Sequence, residues 1–477
     1  MKQLIELFKQ YTGKSNPQIY TLPLSGSNRR YYRLTQDDIS IIGVHGESIN
    51  ENCAFVSIAK HFQDNDLNTP KIYAVSDDNM YYIQEDLGDT ILFDEIKSGR
   101  LTGVFSAKEK ELLHKTIALL PDLQIKGGRG LDYSVCYPQP EFNSRSVFWD
   151  LNYFKYNFLK TTDMDFQEDL LENDFEKLAV DLLDGDNDSF LYRDFQSRNV
   201  MMKDGEPFFI DFQGGRKGPI YYDVASFLWQ AKANYPNELR EELIETYIKS
   251  LRKYRDVDTA QFINKLRLFV LFRTLQVLGA YGFRGYFEKK PHFIQSIPFA
   301  LNNLRELLKD GFSEYPYLND LLYKMVNLKQ FADTKKSELR VKVYSFSYKK
   351  GIPNDSSGNG GGYVFDCRAI NNPGKYERYK SVTGLDDEVK LFLEEGGEMQ
   401  PFLDNVFPLV DAHVKRYIDR QFTSLMISFG CTGGQHRSVY AAQNMAEHIS
   451  KKFGVSVSLV HREQNLEQEF IKTNKIL

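Results

Sequence analysis

Apolar residues at Leu4, Ile5, Leu7, Phe8 and Tyr11 recur at the spacing of one helical face, and the stretch 13–17 predicts where that helix stops. Beyond it, short β-rich runs at 31–34, 39–44 and 81–84 surround one helical pattern near 54–62. This predicts a small antiparallel lobe carrying a helix. After Asp86-Leu87-Gly88 the spacing becomes helical, at Phe148, Leu151, Phe154 and Phe158 and again at Phe262, Leu266, Phe269 and Leu271, so a larger helical lobe is expected. A polar stretch at 332–337 separates that pattern from a new β run at 339–346. Strands near 341–346, 363–367 and 424–429 then alternate with helices near 386–395, 406–417 and 439–452, the order of an α/β unit. The glycine-rich run at 355–362 reads as a loop, because glycine is the residue most costly to order.

A length of 477 residues requires more than one core. The expected division is a first domain over 1–335, with a β lobe to about 86 and a helical lobe over 87–335, and a second domain over 336–477. A net charge of −5 argues against a basic nucleic-acid-binding surface over the whole chain, although a small RNA is left open. Cys53, Cys136, Cys367 and Cys431 show neither metal-ligand spacing nor the density of a disulfide framework, which predicts a reduced, cytoplasmic protein. The first twenty residues mix Lys2, Glu6 and Lys9 among apolar ones, unlike a signal peptide, and no apolar run is expected to be long enough to cross a membrane.

The most informative chemistry lies in Leu191-Tyr192-Arg193-Asp194-Phe195-Gln196-Ser197-Arg198-Asn199, followed by Phe208-Phe209-Ile210-Asp211-Phe212-Gln213. Phosphoryl transfer needs one group to orient the attacking hydroxyl and oxygen ligands to hold magnesium against the phosphates. Asp194, beside Arg193, fits the first task, and Asn199 and Asp211 fit the second. Taken singly, Asp194 reads as a turn cap and Asp211 as an ion-pair partner of Arg193 or Arg216. The combined order and spacing favour the kinase pattern.

At these residues the chain resembles the aminoglycoside-phosphotransferase family, and within it the bacterial kinases that phosphorylate the anomeric hydroxyl of N-acetylmuramate and N-acetylglucosamine in cell-wall recycling. The segments Ser25-Gly26-Ser27-Asn28-Arg29-Arg30, Gln84-Glu85-Asp86-Leu87-Gly88 and Gly218-Pro219-Ile220-Tyr221-Tyr222-Asp223 carry the rest of the likeness, over roughly 15–330. It implies an ATP- and magnesium-dependent enzyme with an α+β protein-kinase-like bilobal fold. In that picture Ser25, Gly26, Ser27 and Asn28 cover the nucleotide phosphates, the segment with Glu85 and Leu87 receives adenine, and Asp223 braces the catalytic loop. Trp149, Asp150, Asn152 and Tyr153 fall where the family builds its acceptor pocket. The strand Ile41-Ile42-Gly43-Val44-His45 lacks the lysine of the wider kinase pattern, and Arg29 or Arg30 is the expected replacement, since a guanidinium grips phosphate oxygens bidentately.

In the smaller α/β domain, Cys431-Thr432-Gly433-Gly434-Gln435-His436-Arg437-Ser438 follows a strand and opens a helix, an arrangement suited to an anion. Cysteine separated by five residues from Arg-Ser also resembles the loop of cysteine-dependent phosphatases. Residues 338–465 resemble instead the C-terminal domain of the RapZ adaptor family, through Ser345-Phe346-Ser347-Tyr348-Lys349-Lys350-Gly351-Ile352-Pro353, Phe365-Asp366-Cys367-Arg368, Asn371-Asn372-Pro373 and Thr383-Gly384-Leu385-Asp386. That likeness implies glucosamine 6-phosphate as ligand, with Asp366, Arg368, Cys431, Thr432, Gly433, Gly434, His436, Arg437 and Ser438 as contacts and His461 and Arg462 near the same mouth. The chain is thus expected to be an amino-sugar kinase with a sugar-phosphate-binding domain. The alternatives are a sensor with a degenerate kinase and a bifunctional kinase and phosphatase; the oligomeric state stays open.

Overall fold

The structure, a computed structural model, describes residues 1–23, 29–185, 187–332, 339–355, 357, 361–419 and 422–470. It divides into two compact units, Met1–Asp333 and Thr334–Leu477. The boundary expected at 335/336 lies outside the described residues.

The first unit opens with helix Lys2–Thr12, which ends at Gly13 in the left-handed region (φ 74°). Strands β1 (Gln18–Thr21), β2 (Arg30–Gln36), β3 (Ile39–His45), β4 (Ile72–Val75) and β5 (Tyr81–Glu85) form an antiparallel sheet in the order β1-β2-β3-β5-β4. Strand periodicity sorts its two faces. Leu34, Ile41 and Ile83 pack on Leu4, Leu7 and Phe8 of the first helix, whereas Ile42 and Val44 join the main core with Phe55, Ile58 and Phe62 of helix Ile49–Asp64. Gly43 permits the first arrangement, for a Cβ there would sit 2.6 Å from Leu34 Cδ1 and 3.1 Å from Leu4 Cδ2.

The helical lobe is built around helix Thr259–Gly282, which lies directly on helix Ser144–Asn157. Two glycines allow that approach: a Cβ on Gly279 would be 2.7 Å from the Phe154 nitrogen, and one on Gly282 would be 2.0 Å from the Asn157 carbonyl. With its π-helical extension, the segment Thr259–Phe287 is long and apolar enough to cross a membrane, contrary to the expectation that no such run exists. Buried residues such as Phe262, Leu266, Phe269 and Leu271 instead place it in the core of the unit, with 61% of its most apolar window covered.

Strands β6 (Ser189–Leu191) and β9 (Arg216–Gly218) pair, as do β7 (Val200–Lys203) and β8 (Glu206–Phe209), at the edge facing the small lobe. The two lobes are joined by a main-chain bond as well as by the covalent link, the Phe209 amide donating to the Asn68 carbonyl at 2.8 Å; just past the junction the Met202 amide donates to the Thr90 carbonyl at 2.8 Å. Lys203 also pairs with Glu85 at 2.6 Å.

The second unit carries a five-stranded sheet in the order β11-β12-β10-β13-β14, formed by β10 (Arg340–Ser347), β11 (Tyr363–Asp366), β12 (Ser424–Cys431), β13 (Ser456–His461) and β14 (Leu466–Phe470). The first four are parallel and β14 is antiparallel. Their carboxyl ends, at Ser347, Asp366, Cys431 and His461, therefore share one edge, the edge at which open α/β sheets bind ligands. Helix Met399–Asp419 begins well before residue 406, where the sequence placed it, because Pro401 falls in its first turn and needs no amide partner there.

Candidate functional site

Leaving β6, the chain turns sharply at Arg193, whose φ of 75° lies in the left-handed region. Eight of the ten described non-glycine residues at positive φ are Asp or Asn, which tolerate it; an arginine there stores strain of about 1–3 kcal/mol. The restraint is Asp223, wholly buried on helix Tyr221–Leu228, whose carboxylate accepts the Tyr192 and Arg193 amides at 2.8 Å each. Burial outweighs those bonds and pushes the Asp223 carboxyl up to about 7.

Asp194 follows, half-buried, and its carbonyl accepts from the Asn199 side-chain amide at 2.8 Å, leaving the Asn199 Oδ1 for another partner. The hairpin β7–β8 then returns the chain to Asp211, itself at φ 68°. The Tyr192 hydroxyl donates to the Ile210 carbonyl, and Phe212 stacks on Phe55 with ring centroids 4.8 Å apart. These contacts tie the two loops to each other and to helix Ile49–Asp64.

Burial first, and then the charge of Asp194, raise the Asp211 carboxyl, while Gln213 donates to its Oδ1 at 2.7 Å. Two carboxylates that repel across a partly dry site, next to an amide oxygen, suit a hard divalent cation. Among the described residues no group of three or more His, Cys, Asp or Glu forms a metal cluster. A magnesium-type ion, which draws much of its shell from water and phosphate, does not need one.

On the small lobe, Ser25, Gly26, Ser27 and Asn28 lie outside the described residues. The two candidate arginines differ: Arg29 is buried, with Cζ 5.6 Å from the Phe55 ring centroid, whereas Arg30 is exposed. Arg29 donates to the Glu51 carbonyl at 3.1 Å and lies 3.8 Å from the Glu51 carboxylate. Both charges act on Asp211 through space. Sequence reasoning missed Glu51, although an acid in the first turn of the lobe's helix was a usable signal. Glu85 turns its carboxylate to Lys203, and Leu87 is buried.

Across from these groups, helix Ser144–Asn157 brings Asp150 within 3.6 Å of the Arg193 guanidinium, and burial raises that carboxyl despite Arg193, Arg273 and Arg216 nearby. Trp149 is 59% exposed, and the Tyr153 ring lies 5.7 Å from Phe283. The Asp150–Arg193 pair thus stands close enough to Asp194 for their charges to interact.

In the second unit the loop after β12 closes on its own cysteine. Cys431 Sγ accepts the Gly434 amide at 3.2 Å and lies 3.2 Å from Ser438 Oγ. Burial would raise the thiol, but these contacts, with Arg437 nearby, leave it lowered. Gly434 has φ 68°, and a Cβ there would meet the Ser347 amide at 2.8 Å, so only glycine fits. His436 Nε2 is 2.8 Å from the Tyr379 carbonyl, and Arg437 donates to the carbonyls of Arg368 at 2.9 Å and Ile370 at 2.7 Å. Both are buried braces here, whereas Thr432 and Gly433 are exposed. Arg368 pairs with Asp366 at 2.6 Å and lies 4.1 Å over the Tyr348 ring, at the same strand edge. His461 is buried against Ser345 Oγ at 2.9 Å, and burial lowers it to about 4. Arg462 donates to the Ser347 carbonyl at 3.2 Å.

Compared with known proteins, residues 22–258 match the phosphotransferase enzyme family and residues 339–465 the RapZ C-terminal domain. A nucleotide-binding protein of Geobacillus thermodenitrificans is 38% identical over 142 residues, covering 30% of this chain and 45% of the relative. The chain therefore spans less than half the length of that relative. A nucleotide-binding protein of Fusobacterium nucleatum subsp. nucleatum is 30% identical over 259 residues, covering 49% of this chain and 88% of the relative. Among solved structures, a choline kinase from Cryptosporidium parvum Iowa II is 12% identical with a TM-score of 0.46, covering 68% of this chain and 99% of that one.

Proposed function

We propose, for a chain that belongs to the phosphotransferase enzyme family through residues 22–258 and to the RapZ C-terminal domain family through residues 339–465, that the first unit is an ATP-dependent amino-sugar kinase and the second binds a related sugar phosphate. The observation that carries the kinase reading is the convergence of Asp194, Asn199 and Asp211 on two loops, the first held by the buried Asp223 carboxylate and tied to the second by the Tyr192 hydroxyl. Asp194 would orient the acceptor hydroxyl and take its proton. Asn199 and Asp211 would hold magnesium, which when bound supplies positive charge against the phosphates.

Arg29 would stand in for the absent strand lysine. Glu51 and the Phe55 ring hold its guanidinium on the side of Asp211, so it needs little ordering to meet an anion. Replacing Arg29 by Met is expected to raise the KM for ATP tenfold or more, whereas Arg30→Met should change it less than twofold. Steady-state kinetics at saturating acceptor measure both, and equal effects would remove Arg29 from the nucleotide site.

Trp149, Tyr153 and Asp150 offer an aromatic face and a hydrogen-bonding group of the kind sugars use. The free cysteines accord with a reduced, cytoplasmic setting. The test is an ATP-consumption screen over N-acetylmuramate, N-acetylglucosamine, glucosamine and aminoglycosides; turnover with none of them would favour a sensor with a degenerate kinase.

For the second unit, glucosamine 6-phosphate is the proposed ligand, at the strand edge near Thr432, Gly433, Asp366 and Arg368. Phosphatase chemistry is the weaker reading. Cys431 is 3% exposed, and Arg437 gives both of its bonds, to the carbonyls of Arg368 and Ile370, from Nη1, while its Nε is buried without a partner. Thr432→Arg is expected to weaken glucosamine 6-phosphate binding at least tenfold by calorimetry while leaving kinase turnover in the absence of that ligand unchanged.

A further inference from the structure

We infer that Gln124 and Tyr247 are positioning residues for the reaction, acting on the Asp194 loop through Asp223. The inference rests on the kinase reading above, which gave these two residues no part. Gln124 sits on the π-helical turn Asp122–Lys126, a kind of irregularity that recurs at functional sites. The turn is held close to its neighbours by two glycines: a Cβ on Gly127 would lie 2.8 Å from the Phe62 ring, and one on Gly128 would lie 2.9 Å from the Phe190 amide in β6.

From that turn the Gln124 amide nitrogen donates to Asp223 Oδ2 at 3.1 Å and to the Ile220 carbonyl at 3.0 Å. Its amide oxygen accepts from the Tyr247 hydroxyl at 2.6 Å. Tyr247 comes from helix Asn237–Leu251, and Gln124, Tyr247 and Asp223 are all wholly buried. The Ile220 carbonyl, which can only accept, fixes which end of the amide is the donor, so the nitrogen faces Asp223 and the Tyr247 hydroxyl donates to the oxygen. Asp223 then accepts three donors: this amide and the Tyr192 and Arg193 main-chain nitrogens.

The relay thus runs from a helix outside the site to the strained backbone at Arg193, one residue before Asp194. A network that served stability alone could end anywhere in the core. This one ends on the two amides that set where Asp194 points, and a site loosened by a fraction of an ångström loses rate more than affinity. The titratable and charged groups facing Asp223 are Asp194, Arg193, Tyr192 and Tyr247.

The test uses the full chain with Gln124→Met, which keeps the volume and removes the donor, and Tyr247→Phe, which removes one oxygen. With the sugar that wild type phosphorylates, Gln124→Met should lower kcat tenfold or more with both KM values within twofold. Tyr247→Phe should do the same to a lesser extent. The acid limb of the kcat profile should move to higher pH in Gln124→Met, since a carboxylate that loses a donor holds its proton more tightly. Hydrogen exchange should be at least tenfold faster at the Tyr192 and Arg193 amides and unchanged in the small-lobe sheet.

Wild-type exchange rates at those two amides in both variants would overturn the inference, as would a loss confined to KM. Should Gln124→Met fail to fold, Tyr247→Phe decides by the same measurements. If wild type transfers no phosphate to any acceptor, the kinase reading fails by itself, and the exchange measurement still decides whether the relay holds the loop.

Discussion

Asp194→Asn is expected to cut kcat by about a thousandfold, within the range for removing a positioned general base, with the KM for ATP changed less than threefold. The substitution is nearly isosteric, and the contact that anchors this residue, from Asn199, is made to its main-chain carbonyl rather than to its carboxylate. The fold around it should therefore persist, and the loss can be read as chemistry. Burst and steady-state assays on the active acceptor measure it, with thermal melting as the control. Turnover retained within tenfold would place the proton acceptor elsewhere.

Asp211→Asn is expected to lower turnover at millimolar magnesium by about a hundredfold or more, with partial recovery as magnesium is raised, because a charged oxygen ligand becomes a neutral one. Without a cation the native carboxylate is uncomfortable: burial and the neighbouring Asp194 both raise it, so its ionised form is disfavoured in the folded protein. The sign follows from linkage. A carboxyl raised above its unfolded value binds protons more readily when folded, so this group's share of stability falls as pH rises past the unfolded carboxylate range. Asp211→Asn should therefore melt at the same temperature as wild type or higher at neutral pH without magnesium, even as it loses activity. A large drop in melting temperature would mean that Asp211 is a structural residue.

Much of this was legible in the sequence because it rests on local chemistry. The order Arg193, Asp194, Asn199 and Asp211 needs only a turn, a hairpin and a strand end, and the structure brings these residues together. The N-terminal helix and strands β2, β3 and β5 announced themselves by period. Strand β4 did not, since four residues with a register shift between Ile72 and Ala74 leave no alternation to read. Strands β13 and β14 were missed although Val457 and Leu459 alternate with serines, because helix and strand compete over so short a run. Buried partners were the hardest to foresee. For Arg437, expected as a ligand contact from its place at a helix start, nothing in the sequence announced the bonds from Nη1 to the carbonyls of Arg368 and Ile370, remote in sequence. Gln124 has no motif at all; only the fold brings it to its partners.

The bonds that join β7 and β8 to the small lobe bear on how this site exchanges its contents. Phe209 with Asn68 and Lys203 with Glu85 are two clasps on one seam, and Met202 with Thr90 secures the chain just past it. Swinging the lobes apart would have to break a main-chain bond as well as the ion pair. Entry and exit should then proceed by local rearrangement at the mouth rather than by jaw-like opening, so turnover should vary little with solvent viscosity and the ionic clasp alone should soften with salt.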